Sequence, residues 1–224
     1  MGIFSYESKF FQTINQVIDC IVLSLMWIFS SLPIITVGAS TTALYHTVHK
    51  VIGRGEGKIW NEYWRAFRRD FKQATGLWLL MVLILGVLAV NWYAVVGLTA
   101  VTETIKTVLE ILVVFLSAFM AIWLQFWFPY LARFSDSTKT VLKNTMAIMT
   151  SETKCAVWLL GLLVIVAAVD GVLSVYVPVL TLIMPVAYMI SLNRILERVF
   201  VLYMDSRTPE QTVERKVSTN TEEK

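Results

Sequence analysis

Charged residues are scarce in this sequence, and their scarcity is the first guide to its class. Asp, Glu, Lys and Arg together make up 16% of the 224 residues, whereas hydrophobic residues make up 57%. Water-soluble domains have about 25% charged and about 45–50% apolar residues. The composition therefore excludes an ordinary soluble protein, and a chain of this length has room for roughly five or six membrane spans of about 20 residues.

Residues suited to catalysis or metal binding are also sparse. The two cysteines, Cys20 and Cys155, lie in or beside apolar runs, which favours two membrane thiols over a disulfide or a metal site. The two histidines, His46 and His49, are one helical turn apart, but no cysteine or carboxylate nearby completes a metal site. The sequence has no glycine-rich phosphate loop and no Ser/His/Asp set. We therefore expect neither an enzyme nor a cofactor.

Five long apolar runs predict an all-α fold. They favour a polytopic transmembrane helix bundle, in which residues 1–205 form a single transmembrane domain. The tail, residues 206–224, is polar and rich in Thr and Glu, so we expect it to be disordered in the cytoplasm. The predicted spans are 18–37, 76–98, 108–131, 156–176 and 179–199.

Positive charge predicts the orientation of the bundle. Lys and Arg accumulate between the first and second spans, between the third and fourth, and towards the end of the fifth. Segments rich in these residues are held on the cytoplasmic side of a membrane. Five spans, with the N terminus outside and the C terminus inside, satisfy this rule for every connection. Because the basic residues are spread among membrane connections, we expect no nucleic-acid partner.

Two shorter segments predict helices that do not clearly span. Residues 3–16 alternate apolar and polar side chains and favour an amphipathic helix at the lipid headgroups. Residues 38–52 are too polar and too few for a confident span, although their small side chains favour close packing on a neighbouring helix. We interpret them as a helix that begins near a Ser/Thr cap and leaves the membrane. The sequence leaves open whether this helix is re-entrant or spanning.

The basic connection between the first two spans contains a second amphipathic helix. Five aromatic residues share one of its faces: Trp60, Tyr63, Trp64, Phe67 and Phe71. The opposite face carries Glu62, Arg65, Arg69 and Lys72, with Arg68 close by. Such a helix at the cytoplasmic surface is either an anchor that binds anionic lipid or a docking surface for a partner protein. The candidate surface comprises Trp60, Trp64, Arg65, Phe67, Arg68, Arg69 and Phe71.

Polar residues inside predicted spans are candidates for a solute path, because each is costly in hydrocarbon. They are Asn91, Gln125, Asp170 and Asn193. Asp170, near the outer end of the fourth span, is either a site for a cation, a proton or a polar solute, or a hydrated carboxylate at the outer interface. A path would run near Asn91, Gln125 and Asp170.

The segment from Ser31 to Tyr45, followed by 67–74, resembles the YesL family of bacterial membrane proteins. The motif is formed by Leu32, Pro33, Thr36, Gly38, Ala43, Leu44 and Tyr45. The resemblance implies a multi-pass protein of the cytoplasmic membrane, often encoded beside carbohydrate ABC transporters and glycoside hydrolases, with no agreed catalytic residue. In this motif we expect Pro33 to end the first span and Gly38 to permit an unusual turn.

These observations lead to three functional hypotheses. The first is a non-enzymatic accessory protein for carbohydrate uptake or use, which contacts an ABC-type sugar transporter through its cytoplasmic amphipathic helix. The second is a small solute transporter or permease subunit. The third is a structural or lipid-binding bundle. Membrane lipid is an expected partner in all three, and a homo-oligomer is compatible with each.

Overall fold

The fold is known from a computed structural model that describes residues 3–222 except 98–101, 135 and 177, with side chains from Ile14 to Met204 apart from 178 and 179. These residues form α-helices and no strand, which confirms the all-α prediction. The helices are α1 (Ile3–Ser31), α2 (Val37–Thr47), α3 (Ile59–Gly97), α4 (Glu103–Arg133), α5 (Thr138–Ser151), α6 (Thr153–Tyr176), α7 (Pro178–Thr181) and α8 (Met184–Glu222). A 3-10 turn, Ile34–Thr36, precedes α2, and a π-helix, Val48–Gly53, follows it.

Four described helices are long and apolar enough to cross a membrane: the Ile14–Ser31 part of α1, together with α3, α4 and α6. The chain is therefore a helical membrane protein. The fifth predicted span, 179–199, is divided between α7 and α8. Its second half carries Arg194, Glu197 and Arg198 within five residues, so α8 is not among the four. The five-span count and the orientation stay predictions.

The last helix includes most of the predicted cytoplasmic tail. The backbone of α8 is helical as far as Glu222, whereas side chains beyond Met204 lie outside the described residues. A helix without a packing partner is marginal in water, so helical backbone alone does not establish order in solution. The disorder of residues 206–224 stays a prediction.

The first helix differs from its prediction at both ends. α1 runs without interruption from Ile3, so residues 3–16 do not form a separate helix at the headgroups. Nothing before Pro33 stops a helix, because Gly2 is the only earlier glycine or proline. α1 ends at Ser31 and not at 37, since proline disfavours a helical conformation in the residue before it.

A polar helix occupies the centre of the bundle. Most residues of α2 are buried, including Ser40, Thr42 and Thr47. Each of these three hydroxyls donates a hydrogen bond to the carbonyl four residues earlier, at 2.8–3.0 Å. The helix thereby satisfies these serine and threonine hydroxyls, so they can be buried. The buried Tyr45 hydroxyl has no hydrogen-bond partner among the described residues. Thr36 precedes α2 without capping it, because its hydroxyl donates instead to the carbonyls of Ser30 and Pro33.

Small residues bring α2 unusually close to α3. The two helices are antiparallel: Gly38 at the start of α2 lies against Ala74 and Trp78, and Lys50, just beyond its end, pairs with Glu62. A Cβ atom at Gly38 would lie 2.5 Å from the Ala74 carbonyl oxygen. Gly38 is inside the helix and does not have a positive φ, so the expected turn at this motif residue is wrong. Its absent side chain instead permits close approach.

The core and the apolar surface occupy different parts of the bundle. One buried cluster joins the end of α1, α2, the first half of α3, the second half of α4, and parts of α5, α6 and α8. The second half of α3 exposes Leu83 and Val90 at 64% and 70%, and α6 exposes Val175 at 76%. Exposed apolar side chains in such number are typical of a surface covered by lipid.

We predict that Gly38→Ala separates α2 from α3. The added methyl group meets backbone, which cannot move aside, so the substitution should destabilise the protein by roughly 1–3 kcal/mol. Thermal unfolding in detergent checks this. Gly86→Ala on α3 is the matched control, because a Cβ there meets no atom within 4 Å. Equal melting temperatures for the two variants would show that the contact is not restrictive.

Candidate docking surface

The aromatic and basic segment is the first part of a helix that continues into the membrane. α3 has 39 residues, so at 1.5 Å per residue it is about 58 Å long. Its apolar part, 76–97, is about 33 Å long, which matches the hydrocarbon thickness of a bilayer. The predicted interfacial helix is therefore coaxial with the second span. No proline separates the two, and the single glycine between them, Gly76, is tolerated in a helix.

This continuity sets the distance between the start of α3 and its apolar part. Trp60 precedes Gly76 by 16 residues, a distance of about 24 Å along the axis. The headgroup layer on each side of a bilayer is only about 5–8 Å thick. Nevertheless, Trp60 is 61% exposed. In a helix normal to the bilayer, a side chain at this distance from the apolar part lies beyond the headgroup layer.

Aromatic side chains form a continuous row along this segment, exposed at Trp60 and Phe71 and half-buried against the core at Trp64 and Phe67. The ring centroids of Trp60 and Trp64 are 6.0 Å apart, those of Trp64 and Phe67 are 5.4 Å apart, and those of Phe67 and Phe71 are 5.4 Å apart. Tyr63, predicted in the same row, is fully buried and its hydroxyl bonds to Ser30. Tyr63 faces inward because the stripe of Ile59, Tyr63 and Ala66 packs against the bundle.

Glu62 was predicted on the exposed polar face, and this assignment is wrong. It is only 5% exposed, on the side of α3 that faces α2. Its carboxylate pairs with the Lys50 ammonium at 3.0 Å and with the Arg65 guanidinium at 3.2 Å, and His46 lies at 3.7 Å. A buried carboxylate requires such partners. Glu62 thus ties the end of α2 to the start of α3.

The exposed cations beside the aromatic row differ in whether they form ion pairs and hydrogen bonds. Arg69 binds Asp70 at 2.7 and 2.9 Å and donates to the Ala132 carbonyl at 3.3 Å. Within the described part of the chain, Arg68 and Lys72 have no ion pair or hydrogen bond. A groove of about 850 Å³ runs over this surface. It is lined by Trp60, Asn61, Trp64, Arg65, Arg68 and Arg69.

The candidate intramembrane polar residues have separate surroundings. Gln125 is 8% exposed and accepts a hydrogen bond from the Tyr188 hydroxyl at 2.8 Å. Asn91 is exposed and donates to the Val87 carbonyl of its own helix at 2.8 Å. Asp170 is partly buried. No hydrogen bond between described residues links the three, and a path along them stays a prediction.

A second cluster of charges, which the sequence did not indicate, joins α4, α8 and the π-helix. Arg133 at the end of α4 binds Glu197 of α8 and donates to His49 Nε2 at 3.0 Å. His49 Nδ1 lies 3.1 Å from the Asn193 side-chain oxygen and 3.2 Å from Glu197. Since Arg133 donates to Nε2, the proton of neutral His49 resides on Nδ1. Asn193, predicted as an intramembrane polar residue, belongs to this cluster.

One family is similar to the chain. Residues 20–92 match the family model described as "Protein of unknown function, DUF624". This is the YesL-like family of bacterial membrane proteins. No curated protein and no solved structure matches the chain. The resemblance inferred from the motif is therefore confirmed for this segment.

The DUF624 match covers the second part of α1, all of α2 and most of α3. It begins in α1 at Cys20, includes α2 and the π-helix, and ends on α3 at Trp92. It therefore contains the close α2–α3 contact, the Glu62 cluster and the whole aromatic and basic surface. The partners of His49 on α4 and α8 lie outside it.

We predict that acid loosens the contact between the π-helix and α8. Burial lowers the pKa of His49 below its ordinary 6.5, Arg133 and Arg54 lower it further, and Glu197 opposes them. A group whose pKa is lowered by folding stabilises the fold when deprotonated. This contribution is complete above about pH 6.5 and is lost as the pH falls through the lowered pKa. A second proton, on Nε2, would point at the Arg133 guanidinium.

Hydrogen exchange of the full chain in detergent at pH 7.5 and 5.5, corrected for intrinsic rates, checks this. In the wild type, 48–53 should exchange faster at the lower pH, and in His49→Gln this difference should disappear. His46→Gln is the control. Burial also lowers the pKa of His46, but its ring faces acceptors, the Ala132 carbonyl and Glu62. Persistence of the acid effect in His49→Gln contradicts the prediction.

Proposed function

We propose that the protein is a non-enzymatic accessory protein of the cytoplasmic membrane, which binds a partner protein through the free end of α3. The observation that carries this proposal is the exposure of Trp60, 61%, about 24 Å from the apolar part of the same helix. A membrane anchor needs its aromatic side chains within the interface. The position of Trp60 therefore favours protein docking over lipid anchoring for this end of the helix.

The chemistry of the surface favours a partner with apolar and acidic side chains. Trp60 and Trp64 offer aromatic faces, and Arg65 borders the same groove. Aromatic residues and arginine dominate the energetics of protein interfaces. A helix that inserts apolar residues into such a groove and places carboxylates beside Arg65 would be complementary to it.

The partner class follows from the family resemblance. We propose that it is the membrane component of an ABC-type sugar transporter, because members of this family are often encoded beside such transporters. The accessory role is then in carbohydrate uptake or use.

This role requires that the docking end of α3 face the cytoplasm. We propose the five-span arrangement with the N terminus outside and the C terminus inside. It is supported by the meeting of basic segments from different parts of the chain: Lys50 pairs with Glu62 of α3, Arg69 donates to Ala132 near the end of α4, and Arg133 pairs with α8. Positive residues gathered at one end of a bundle favour the cytoplasmic side.

Replacement of both Trp60 and Arg65, in the variant Trp60→Ala/Arg65→Glu, should abolish partner contact. A photo-crosslinking residue at Asn61, within the groove, provides the measurement in cells of the native host. Adducts identified by mass spectrometry should contain the membrane subunit of a sugar transporter, and the variant should lose about 90% or more of them, since two anchor residues are removed.

Trp158→Ala is the matched control for this experiment. Trp158 is 73% exposed on α6, within a candidate span, so its loss should leave the adducts unchanged. Adducts with lipid alone, or equal adduct formation in wild type and the double variant, would contradict protein docking at this surface.

A further inference from the structure

The part of α3 nearest its apolar half has a second groove, which shares Arg68 and Arg69 with the groove at the Trp60 end. Its volume is about 420 Å³, and it is lined by Phe67, Arg68, Arg69, Phe71 and Lys72. Phe71 is 36% exposed. Three cations and two aromatic rings thus converge on a space of the size that suits a small polar group.

Depth distinguishes this groove from the docking surface. Lys72 precedes Gly76 by four residues, about 6 Å along the helix, and Arg68 precedes it by eight, about 12 Å. The headgroup layer begins where the hydrocarbon ends and extends about 5–8 Å. Lys72 therefore lies within this layer and Arg68 borders it, whereas Trp60 lies well beyond.

Two of the three cations that line this groove, Arg68 and Lys72, are available to bind an anion. Arg65 has Glu62 as a partner, and Arg69 has Asp70. Arg68 and Lys72 are exposed, are four residues apart on one face of the helix, and have no charged or hydrogen-bonded partner among the described residues. Guanidinium and ammonium groups both bind phosphate oxygens, the first in a bidentate manner.

We propose that Arg68 and Lys72 bind the phosphate groups of anionic phospholipids in the leaflet that surrounds the start of the α3 span. Phe71, between them in sequence, contacts the glycerol and upper acyl region of the same lipid. The free cations, the depth of Lys72 and the exposed apolar surface from Leu79 onward all fit a lipid and not a soluble phosphate. This proposal does not require partner docking at Trp60, Trp64 and Arg65, which take no part in it, although Arg68 lines both grooves.

Lipid retention measures the proposed binding directly. The full chain is purified in nanodiscs of equimolar phosphatidylglycerol and phosphatidylcholine, transferred to mild detergent, and examined by native mass spectrometry. The wild type should retain phosphatidylglycerol in preference to phosphatidylcholine. In Arg68→Gln/Lys72→Gln this preference should fall about tenfold, as expected for two lost phosphate contacts.

The control is Arg65→Gln, which removes one positive charge from the same helix about 5 Å beyond Arg68, against the two that the neutral double variant removes. It should leave the lipid preference unchanged. The variant Arg68→Lys/Lys72→Arg keeps both charges and should retain most of the lipid preference. That result would show that the loss in the neutral variant comes from the missing charge and not from altered packing at these positions.

Three outcomes overturn the proposal. They are an unchanged lipid preference in Arg68→Gln/Lys72→Gln, an equal loss in Arg65→Gln, and release of the bound lipid by millimolar inorganic phosphate. The last result would assign the groove to a soluble phosphate compound. An equal loss in Arg65→Gln would show that positive charge in general attracts the lipid, and not a binding site at Arg68 and Lys72.

Discussion

The close contact between α2 and α3 is the constraint on which the rest of the described bundle depends. Gly38 allows the two backbones to approach, and the buried hydroxyls of α2 satisfy themselves on their own helix. Because α2 is held in this way, the residues at its end have fixed positions. Lys50 and His46 reach Glu62, and His49 reaches Arg133 and Asn193. Both charge clusters therefore originate from one packed helix.

The two clusters hold the exposed end of α3 and the basic end of α4 in a defined arrangement. Buried ion pairs add little net stability, since desolvation opposes their attraction, but removal of one partner leaves an uncompensated charge. Their effect is thus to specify which helices meet. Glu62 orients α3 against α2, and Glu197 orients α8 against α4. Trp60 and Phe71 on α3 are exposed because the opposite side of that helix is occupied by these contacts.

Hydropathy predicted the class of the protein and most of its long helices, because exposure to hydrocarbon demands uninterrupted apolar runs. Residues 38–52 were predicted as a helix with small side chains suited to close packing, but their burial was not predicted, since Ser and Thr lower the hydropathy of a helix that hydrogen-bonds them internally. The coaxial continuation of α3 was also missed. The change from amphipathic to apolar character near Gly76 resembles a boundary between two helices, whereas a helix ends only where its backbone is interrupted.

For the candidate surface, periodicity correctly identified the exposed members Trp60, Arg65 and Arg68 and misplaced Tyr63 and Glu62. A helical wheel gives the angular position of each side chain, but it does not show which side of the helix neighbouring helices cover. The partners of Glu62 come from α2, a helix whose burial was not predicted. The Arg133–Glu197 pair joins residues 64 positions apart, and no local pattern marks such a pair. His46 and His49 were singled out by their spacing; both lie at the end of α4, but His46 also faces α3 and His49 also faces α8.

The unbroken course of α3 joins the part of the bundle packed around Gly38 and Glu62 rigidly to the second predicted span. A change of 10° in the tilt of the span would displace a side chain about 24 Å away by roughly 4 Å. Bilayer thickness and lateral pressure influence such tilts. Trp60 would therefore move when a change among the acyl chains alters the tilt of the span.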